Sequence, residues 1–431
     1  MHELTQMIKG DMVPALGVTE PGAIAFCAAK ARSLIGGELV RLEIAMNSGM
    51  YKNADTCCIP KSAAFGSARA AALGFVAGDP DKGLNALANA TPEDDALAER
   101  YVKQGRVVTS LDSVTSRIFI QARLETSAGT AEVTIRDTHT NIVRMAVNGK
   151  TIYEAPAAAP EAVDGAPEQH PIHAYTLAAL LDYVNTVPYE EIAFVMDAYK
   201  VNLALFEAGM RSPTAQFGKW LLAMNGGEVI SRDERRTASL LCNAAIEARV
   251  MGVPMPAMSI TGSGAHGIIA TLPLYAVVRI NRLSEEQLCR ATMLSYLVCT
   301  YIKEYSGRLS AFCGCGIAAG SGMAVALCWL KGGTLEAMGR VLNNMASSIT
   351  GMICDGGNQG CVMKGVAACA AAFDSAELAL SGAFVDGVHG INGPTPEATM
   401  RNMGLIASPG MVHTEETILE IQQGKTKDGH A

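Results

Sequence analysis

The hydrophobic pattern of this 431-residue chain changes once, and that change limits the possible folds more than any other feature. Residues 106–154 contain short runs in which apolar and polar residues alternate, as they do in half-buried strands. After residue 173 every long segment has the spacing of a helix. The residues between them, 156–172, are rich in alanine and proline, which is typical of a linker.

The pattern therefore predicts an α+β protein. We expect a mixed α/β N-terminal domain with a mainly antiparallel sheet (1–155), a linker (156–172) and a mostly helical C-terminal domain (173–431). Pro21 suits the first turn of a helix, and Asn148 with Gly149 suits a hairpin turn. Helices are predicted before residue 16 and over 21–35, 62–78, 92–105, 174–186, 189–224, 233–251, 284–303, 309–331, 334–350, 361–383 and 413–423. Strands are predicted over 38–46, 117–126, 130–138, 141–147 and 151–154.

Charge and hydropathy argue against several classes of partner. The formal net charge is −8 and the pI is near 5.6, which argues against a protein that binds nucleic acid or an anionic membrane. Residues 250–278 and 309–330 carry no charged side chain, but prolines and glycines interrupt them, so neither is expected to span a membrane. The N-terminus lacks the basic and apolar regions of a signal peptide. We therefore expect a cytoplasmic protein with reduced cysteines.

Residues 250–373 are poor in charge and rich in cysteine. They hold 13 charged residues in 124, against 63 in the other 307, and eight of the twelve cysteines. Such a composition indicates a buried, water-poor site, or simply tight packing, because free cysteine is often buried. Over the whole chain 49% of residues are apolar and 18% are charged. This balance favours a homo-oligomer, although a large monomeric core would have the same composition.

Four cysteines of this window lie in predicted loops. Cys313 and Cys315 flank a single glycine, and Cys354 and Cys361 flank the polar turn 355–360. Cys361 also begins a predicted helix, where the helix dipole favours a thiolate. These spacings do not match zinc sites, and separate loops suit an iron–sulfur cluster better. By spacing alone, a cluster and packing thiols explain the pattern equally well.

A glycine-rich loop at residues 259–267 is the next polar group. It matches G-x-G-x-x-G, but no strand–helix–strand unit surrounds it, so it is not expected to bind a dinucleotide. Its backbone amides, with Ser263, Gly264 and His266, could instead hold a small carboxylate. The polar residues 137–141, taken alone, are typical of an ordinary turn.

Several motifs resemble one known family. Residues 13–22, Val-Pro-Ala-Leu-Gly-Val-Thr-Glu-Pro-Gly, resemble the P-A-L-G-C-T-E-P signature of the L-cysteine desulfidase family. That family is related to the iron–sulfur L-serine dehydratases of the alpha-chain type. The resemblance continues in chain order through most of the sequence, at residues 52–53, 139–142, 262–267, 308–311 with Cys313, and 351–356 with Cys361.

The resemblance implies a [4Fe–4S] cluster held by Cys313, Cys354 and Cys361, with one iron open to the substrate. It implies a lyase that removes the Cα proton and the β-substituent of a small amino acid such as L-cysteine or L-serine, giving pyruvate and ammonia. The expected partner is thus a small amino acid or a hydroxy or thiol acid. By the same resemblance His266 is catalytic, and the substrate-binding residues are Thr19, Glu20, Asn53, His139, Asn141, Ser263 and Gly264.

Val18 is a departure from the family pattern. It stands where the family has a cysteine that is a candidate for a further cluster ligand or for the base, and valine can be neither. Cys57 or Cys58 could reach the vacated place, or Lys61 could supply the base, although both cysteines could also be packing residues. Two alternatives therefore stay open: a dehydratase or lyase for a different β-hydroxy or thiol acid, and a cluster-free binding or regulatory relative.

Overall fold

The computed structural model describes residues 1–62, 64–156, 170–307 and 309–427, and it confirms the α+β class. Most of the predicted linker, residues 157–169, and Arg308 of the family motifs lie outside the described residues. The buried apolar side chains form two clusters. The cluster against the large sheet is called the sheet core, and the cluster among the C-terminal helices is called the helical core. The domain division at residues 155 and 173 stays a prediction.

Up to residue 154 the chain contains both helices and strands, the last five elements being consecutive strands, and beyond residue 170 the elements are almost all helical. The strands are β1 (Val13–Leu16), β2 (Leu39–Asn47), β3 (Val107–Ser113), β4 (Phe119–Thr126), β5 (Gly129–Arg136), β6 (Ile142–Val147), β7 (Lys150–Glu154) and β8 (Pro256–Ser259). The N-terminal helices are α1 (Glu3–Asp11), α2 (Thr19–Ile35), α3 (Ser48–Thr56), α4 (Ser67–Ala77) and α5 (Pro92–Lys103).

The helices beyond residue 170 are α6 (Leu177–Thr186), α7 (Tyr189–Ile192), α8 (Asp197–Arg211), α9 (Phe217–Met224), α10 (Glu234–Val250), α11 (Gly264–Asn281), α12 (Glu285–Ser306), α13 (Gly320–Leu330), α14 (Leu335–Ile349), α15 (Gly360–Leu380), α16 (Pro396–Ala407) and α17 (Val412–Lys427). Short 3₁₀ turns lie at Pro80–Asn85, Pro171–Ala174 and Ala193–Met196, and a π turn precedes α13 at Cys315–Ala319.

Six strands form one sheet in the order β3-β2-β4-β5-β6-β7. β2 and β3 run parallel, and every other neighbouring pair is antiparallel. α2 packs on β4 and β5, and α4 packs on α2. Along β4 the residues Ile120, Ala122 and Leu124 are buried, whereas Arg123 and Glu125 between them are exposed. The sheet therefore has one apolar face toward the helices and one charged face, which is the alternation that its sequence predicts.

The helical core packs helices that are buried around their whole circumference. In α11 nearly every residue is buried, including Pro273 inside the helix. Small residues let such helices approach closely: a Cβ at Gly322 of α13 would collide with the carbonyl oxygen of Ser295 in α12. Among the described residues, no helix combines the length and the hydropathy needed to span a bilayer.

The first twenty residues connect the two cores. Leu4 and Ile8 of α1 pack in the helical core, and Val13 of β1 pairs with Ser259 of β8. α2 then enters the sheet core. The crossing point is Gly17, whose φ of 67° lies in the left-handed region that favours glycine. This turn therefore lies where the two cores meet.

The structure differs from the predicted elements where prolines, glycines and short segments weaken the periodicity. The predicted helix over 189–224 is divided into α7, α8 and α9, because Pro213 disfavours helix at the residue before it and α8 ends at Arg211. The predicted helix over 309–331 starts late, since residues 309–314 form a loop. β1, β3, β8, α3, α11 and α16 were not predicted. In contrast, Asn148 and Gly149, with φ of 48° and 77°, form the predicted hairpin turn.

Candidate active site

Two loops of the helical core hold Cys313 and Cys354 side by side. Phe312 and Ile353 form an isolated antiparallel bridge between the loops. Within it, the amide of Cys354 donates to the carbonyl oxygen of Ala311 at 2.6 Å. Backbone hydrogen bonds therefore set the distance between two thiols that lie 41 positions apart in the sequence.

The third predicted ligand, Cys361, joins these two thiols. It lies in the first turn of α15, with its Sγ 3.5 Å from the carbonyl oxygen of Gly356. Burial and the charges of Cys313 and Cys354 raise the pKa of Cys361 to about 12. The charge of Cys313 thus acts on the ionisation of both Cys354 and Cys361.

A fourth thiol, Cys315, lies in the same place, and the sequence analysis left it out of the ligand set. Its hydrogen bond to Cys313 lowers the pKa of Cys313 to about 7, although burial acts in the opposite direction. The same hydrogen bond, then burial and the charges of the neighbouring thiols, raise the pKa of Cys315. Cys313 is therefore the thiolate of this pair near neutral pH. The C-x-C spacing was the available sequence signal for Cys315.

Two lysines, each paired with a carboxylate, face the thiols. Lys52 Nζ lies 2.6 Å from Glu415 Oε2, and both side chains are almost fully buried. Lys364 forms an ion pair with Asp355, in the loop between Cys354 and Cys361. Burial raises the pKa of Cys354, and the positive charges of Lys52 and Lys364 act against that increase. The lysines therefore favour thiolates at this site.

The arrangement of the thiols limits the metal groups they can hold. Among the described residues, no three His, Cys, Asp or Glu side chains are close enough together to hold a single metal ion. A four-iron cluster is larger than one ion and takes its thiolates from separate parts of the chain. Cys313, Cys354 and Cys361, on three segments with two lysines beside them, are the thiols that could hold such a group.

His266 of α11 faces the loop that carries Cys313. A Cβ at Gly314 would lie 2.6 Å from His266 Nε2 and 3.1 Å from Lys303 Cε. On the other side of the ring, Nδ1 lies 2.5 Å from Thr261 Oγ1, and the amide of Thr261 donates to Asp11 at 2.5 Å. Glycine at position 314 thus lets the imidazole approach the thiol loop. The sequence analysis did not include the buried Lys303 in the site.

The start of α2 forms a second wall of the site. Asn53 Nδ2 donates to Glu20 Oε1 at 2.8 Å, and His139 Nε2 lies 3.9 Å from the same oxygen. Glu20 and His139 are both buried. Thr19 Oγ1 donates to the carbonyl oxygen of Gly262 at 3.3 Å, which connects this wall to the glycine-rich loop. The structure thus brings four of the predicted substrate-binding residues together.

Val18 fills the space next to the loop that follows Cys354. A Cβ at Gly357 would lie 2.8 Å from Val18 Cγ1 and 3.4 Å from Cys57 Cβ. Cys57 is fully buried there, and burial followed by the charge of Glu20 raises its pKa well above the usual value. Cys57 therefore lies beside Val18, as expected if it takes the place of the family's cysteine, but it is a neutral thiol.

Three other residues that were predicted to be catalytic or substrate-binding lie outside this site. Cys58 packs at the end of α10, where a Cβ at Gly252 would lie 3.1 Å from Cys58 Cβ. Lys61 is exposed at a turn with φ of 66°. Asn141 is also exposed, and its amide donates to the carbonyl oxygen of Arg136 at 3.2 Å. Lys61 and Asn141 belong to surface turns, and the fold does not bring them to the buried site.

The sequence analysis missed one buried arginine, Arg249, near the end of α10. A Cβ at Gly264 would lie 2.8 Å from Arg249 Nε. Gly264 is the first residue of α11 and Ser263 is its N-cap, so this arginine reaches the loop that was predicted to hold a carboxylate. α10 contains three arginines, and the sequence alone does not distinguish this one from the others.

Comparison with known proteins gives a consistent result. The family model of the serine dehydratase alpha chain matches residues 81–420. A UPF0597 protein of Clostridium botulinum is 38% identical over 431 residues, covering 98% of this chain and 99% of the relative. UPF0597 proteins of Clostridioides difficile and Caldanaerobacter subterraneus subsp. tengcongensis are each 34% identical, with 98% of this chain covered and 99% and 98% of the relatives.

Proposed function

This chain belongs to the family of serine dehydratase alpha chains, and we propose that it is an iron–sulfur-dependent lyase. The proposed reaction is β-elimination from a small amino acid such as L-cysteine or L-serine, which gives pyruvate and ammonia. The observation that carries the proposal is the convergence of Cys313, Cys354 and Cys361, with His266 facing the same loop.

Cys313, Cys354 and Cys361 are the residues proposed to hold a [4Fe–4S] cluster. When bound, the cluster supplies a Lewis acid for the leaving hydroxyl or thiol group. The low pKa of Cys313 and the positive charges of Lys52 and Lys364 favour thiolates, which are the form that binds iron.

His266 is proposed to remove the Cα proton of the substrate. Thr261 Oγ1 has one hydrogen, which it donates to the carbonyl oxygen of Ile260 at 2.7 Å. With that hydrogen committed, His266 must donate from Nδ1 to Thr261. Nε2, which faces Gly314, is then the ring nitrogen that accepts a proton.

The only reactant that the elimination and the hydrolysis need besides the substrate is water. His266 takes the Cα proton, the Cα–H electrons form the new double bond, and the hydroxide or hydrosulfide leaves with the electrons of its bond to Cβ. The resulting aminoacrylate tautomerises to an imine, and water hydrolyses this imine to pyruvate and ammonia. Cys57, a neutral thiol beside Val18, is assigned no proton transfer, because its pKa is raised well above the usual value.

Val18 supports one alternative within the enzyme class. The valine side chain packs against Gly357 at a position where the family has cysteine, so the pocket differs from that of a cysteine desulfidase. A lyase for another β-hydroxy or thiol acid would suit that change. The alternative outside the enzyme class is a binding or regulatory relative that lacks the cluster.

A homo-oligomer is also part of the proposal. The described surface exposes several large apolar side chains, among them Trp220 and Val388. Light scattering coupled to size-exclusion chromatography measures the mass directly, and a monomer mass of 45.1 kDa would contradict this part.

The test is a measurement of iron, acid-labile sulfide and pyruvate formation on protein purified without oxygen. We expect about four irons and four sulfides per chain, visible absorption from sulfur-to-iron charge transfer, and pyruvate from L-cysteine or L-serine. Iron without turnover of either amino acid would favour another β-hydroxy or thiol acid as substrate. No iron after anaerobic reconstitution would overturn the lyase and favour a binding protein.

A further inference from the structure

Arg249 is a buried cation that the proposed reaction does not yet use. It is the last residue but one of α10, only 4% of its surface is exposed, and its Nε has no hydrogen-bond partner among the described residues. The Nε–H of this side chain has lost its water, and burial of a polar group is unfavourable unless a partner compensates for it. Its environment therefore indicates a ligand that carries the opposite charge.

The side chain points at the N-terminus of α11. A Cβ at Gly264, the first residue of α11, would lie 2.8 Å from Arg249 Nε and 3.3 Å from Arg249 Cδ. The preceding Ser263 is the N-cap of this 18-residue helix, but its side chain makes no capping hydrogen bond. The positive end of a helix and a buried guanidinium thus meet at one point. Both attract anions, and a carboxylate fits the planar arrangement of the guanidinium donors.

A negative charge lies in the same pocket. Glu20, held by Asn53 at 2.8 Å, is buried near the start of α2, and Thr19 next to it donates to Gly262 at the start of the glycine-rich loop. The charges of Glu20 and Arg249 both reach the thiol of Cys57. Among the described residues, however, Arg249 and Glu20 do not form an ion pair with each other. The pocket therefore presents one positive and one negative group that are held apart.

We propose that Arg249 and the N-terminus of α11 bind the α-carboxylate of the substrate, while Glu20 binds its α-ammonium group. This inference rests on the proposed lyase function and names the substrate class as zwitterionic α-amino acids. A hydroxy or thiol acid without an amino group would leave Glu20 with only Asn53 and His139 as partners. The pocket therefore discriminates against the hydroxy-acid and thiol-acid alternatives.

The test uses L-alanine, an amino acid without a leaving group, so binding is measured without turnover. Isothermal titration of the anaerobic holoprotein should detect L-alanine and should detect L-alaninamide or L-lactate much more weakly, since each lacks one of the two charges. Arg249→Gln should weaken L-alanine binding by roughly 10- to 100-fold, the range for losing a hydrogen bond to a charged group. Arg249→Lys should keep part of the affinity.

Arg235→Gln is the matched control, because Arg235 is on the same helix but is exposed and paired with Asp374. It should bind L-alanine like the wild type. Equal affinity of wild-type protein for L-alanine and L-alaninamide would overturn the proposal, and so would no detectable L-alanine binding. The first comparison requires no variant, so it holds even if Arg249→Gln fails to fold.

The failure of this inference can be distinguished from the failure of the proposed function. Arg249-dependent binding of L-alanine without pyruvate from any amino acid would overturn the lyase but support the carboxylate site. Pyruvate formation with a KM that Arg249→Gln leaves unchanged would support the lyase and overturn the role of Arg249.

Discussion

The sheet core and the helical core bury their polar residues in different ways. On β4 the charged side chains, such as Arg123 and Glu125, alternate with buried apolar ones and face outward. In the helical core the residues of α11 from Gly264 to Leu274 are all buried, His266 among them. A polar side chain in the sheet is hydrated, but one in the helical core must have a partner or a ligand. Buried polar groups of the helical core are therefore the better guide to function.

The cysteines differ between the two cores in the same way. Cys27 of α2, in the sheet core, is fully buried, and burial raises its pKa to about 12. Cys313 is almost as buried, but its hydrogen bond from Cys315 lowers its pKa to about 7. Burial alone thus gives an inert thiol, whereas a hydrogen bond from a neighbouring thiol favours the thiolate of Cys313.

The largest effect is expected when one cysteine of each core is replaced by alanine. Cys354→Ala should lose the cluster iron and more than about 100-fold of pyruvate formation, which exceeds what the loss of an outer-shell partner of a metal site costs. Cys27→Ala is the matched control: it should keep iron and activity and lose about 1 kcal/mol of stability. Iron analysis and a pyruvate assay measure both. Full iron content in Cys354→Ala would contradict the ligand assignment.

The next effect concerns the buried ion pair between α3 and α17. Lys52→Met leaves Glu415 buried without its cation and should lower the free energy of unfolding by about 3–5 kcal/mol in urea titrations. The double variant Lys52→Met with Glu415→Leu should recover most of this loss, because it removes both charges. Arg41→Met, in an exposed pair with Glu43, is the control on the sheet and should change stability by less than about 1 kcal/mol. A small loss in Lys52→Met would show that water reaches Glu415.

A smaller effect tests how tightly the helical core is packed. Gly322→Val should destabilise by about 1–3 kcal/mol, because the added atoms meet the carbonyl oxygen of Ser295. Thr151→Val on the exposed strand β7 should stay within about 0.5 kcal/mol of the wild type. Urea denaturation compares the two. Equal stability of both variants would mean that α12 and α13 can separate without cost.

The smallest effect is a pH dependence at the edge of the helical core. His173 Nε2 donates to the backbone carbonyl oxygen of Tyr301 at 3.0 Å, and the ring stacks on Tyr305 at 3.6 Å between ring centroids. Burial lowers the pKa of His173 below its usual 6.5. The unfolded chain therefore binds more protons than the folded chain as the pH falls below about 6.5, and stability decreases in that window.

His173→Phe should reduce this acid sensitivity while keeping the ring stack. Melting temperatures of both proteins between pH 7.5 and pH 5 measure the difference. An identical slope in wild type and variant would show that other groups cause the acid sensitivity.

The strands of the sheet were predicted to within a few residues, and the reason is local. Alternation along β4, β5 and β6 and the turn at Asn148 depend on neighbouring residues and on one apolar face. The interior of the helical core has no such periodicity. α11 is apolar on every side, so neither its start at Gly264 nor its direction could be derived from the pattern.

The candidate site was predicted only in part. The resemblance named Cys313, Cys354 and Cys361, and the glycine-rich loop was recognised from its residues. Cys315 was considered among the loop cysteines but was left out of the ligand set, and Arg249 was missed, because an arginine in a helix has no special meaning until its neighbours are known. Lys61 and Asn141, in contrast, were chosen from motifs that the fold places at the surface.

The sequence by itself determined the α+β class, the charge-poor segment and the thiols available for a metal group, since these depend on composition and local order. Only the tertiary structure decided which buried polar groups meet. Thr19 reaches Gly262 across 243 positions, and Lys52 reaches Glu415 across 363. Such pairs form because segments far apart in the sequence pack against each other, and packing energy is shared among many side chains, so no local pattern encodes it.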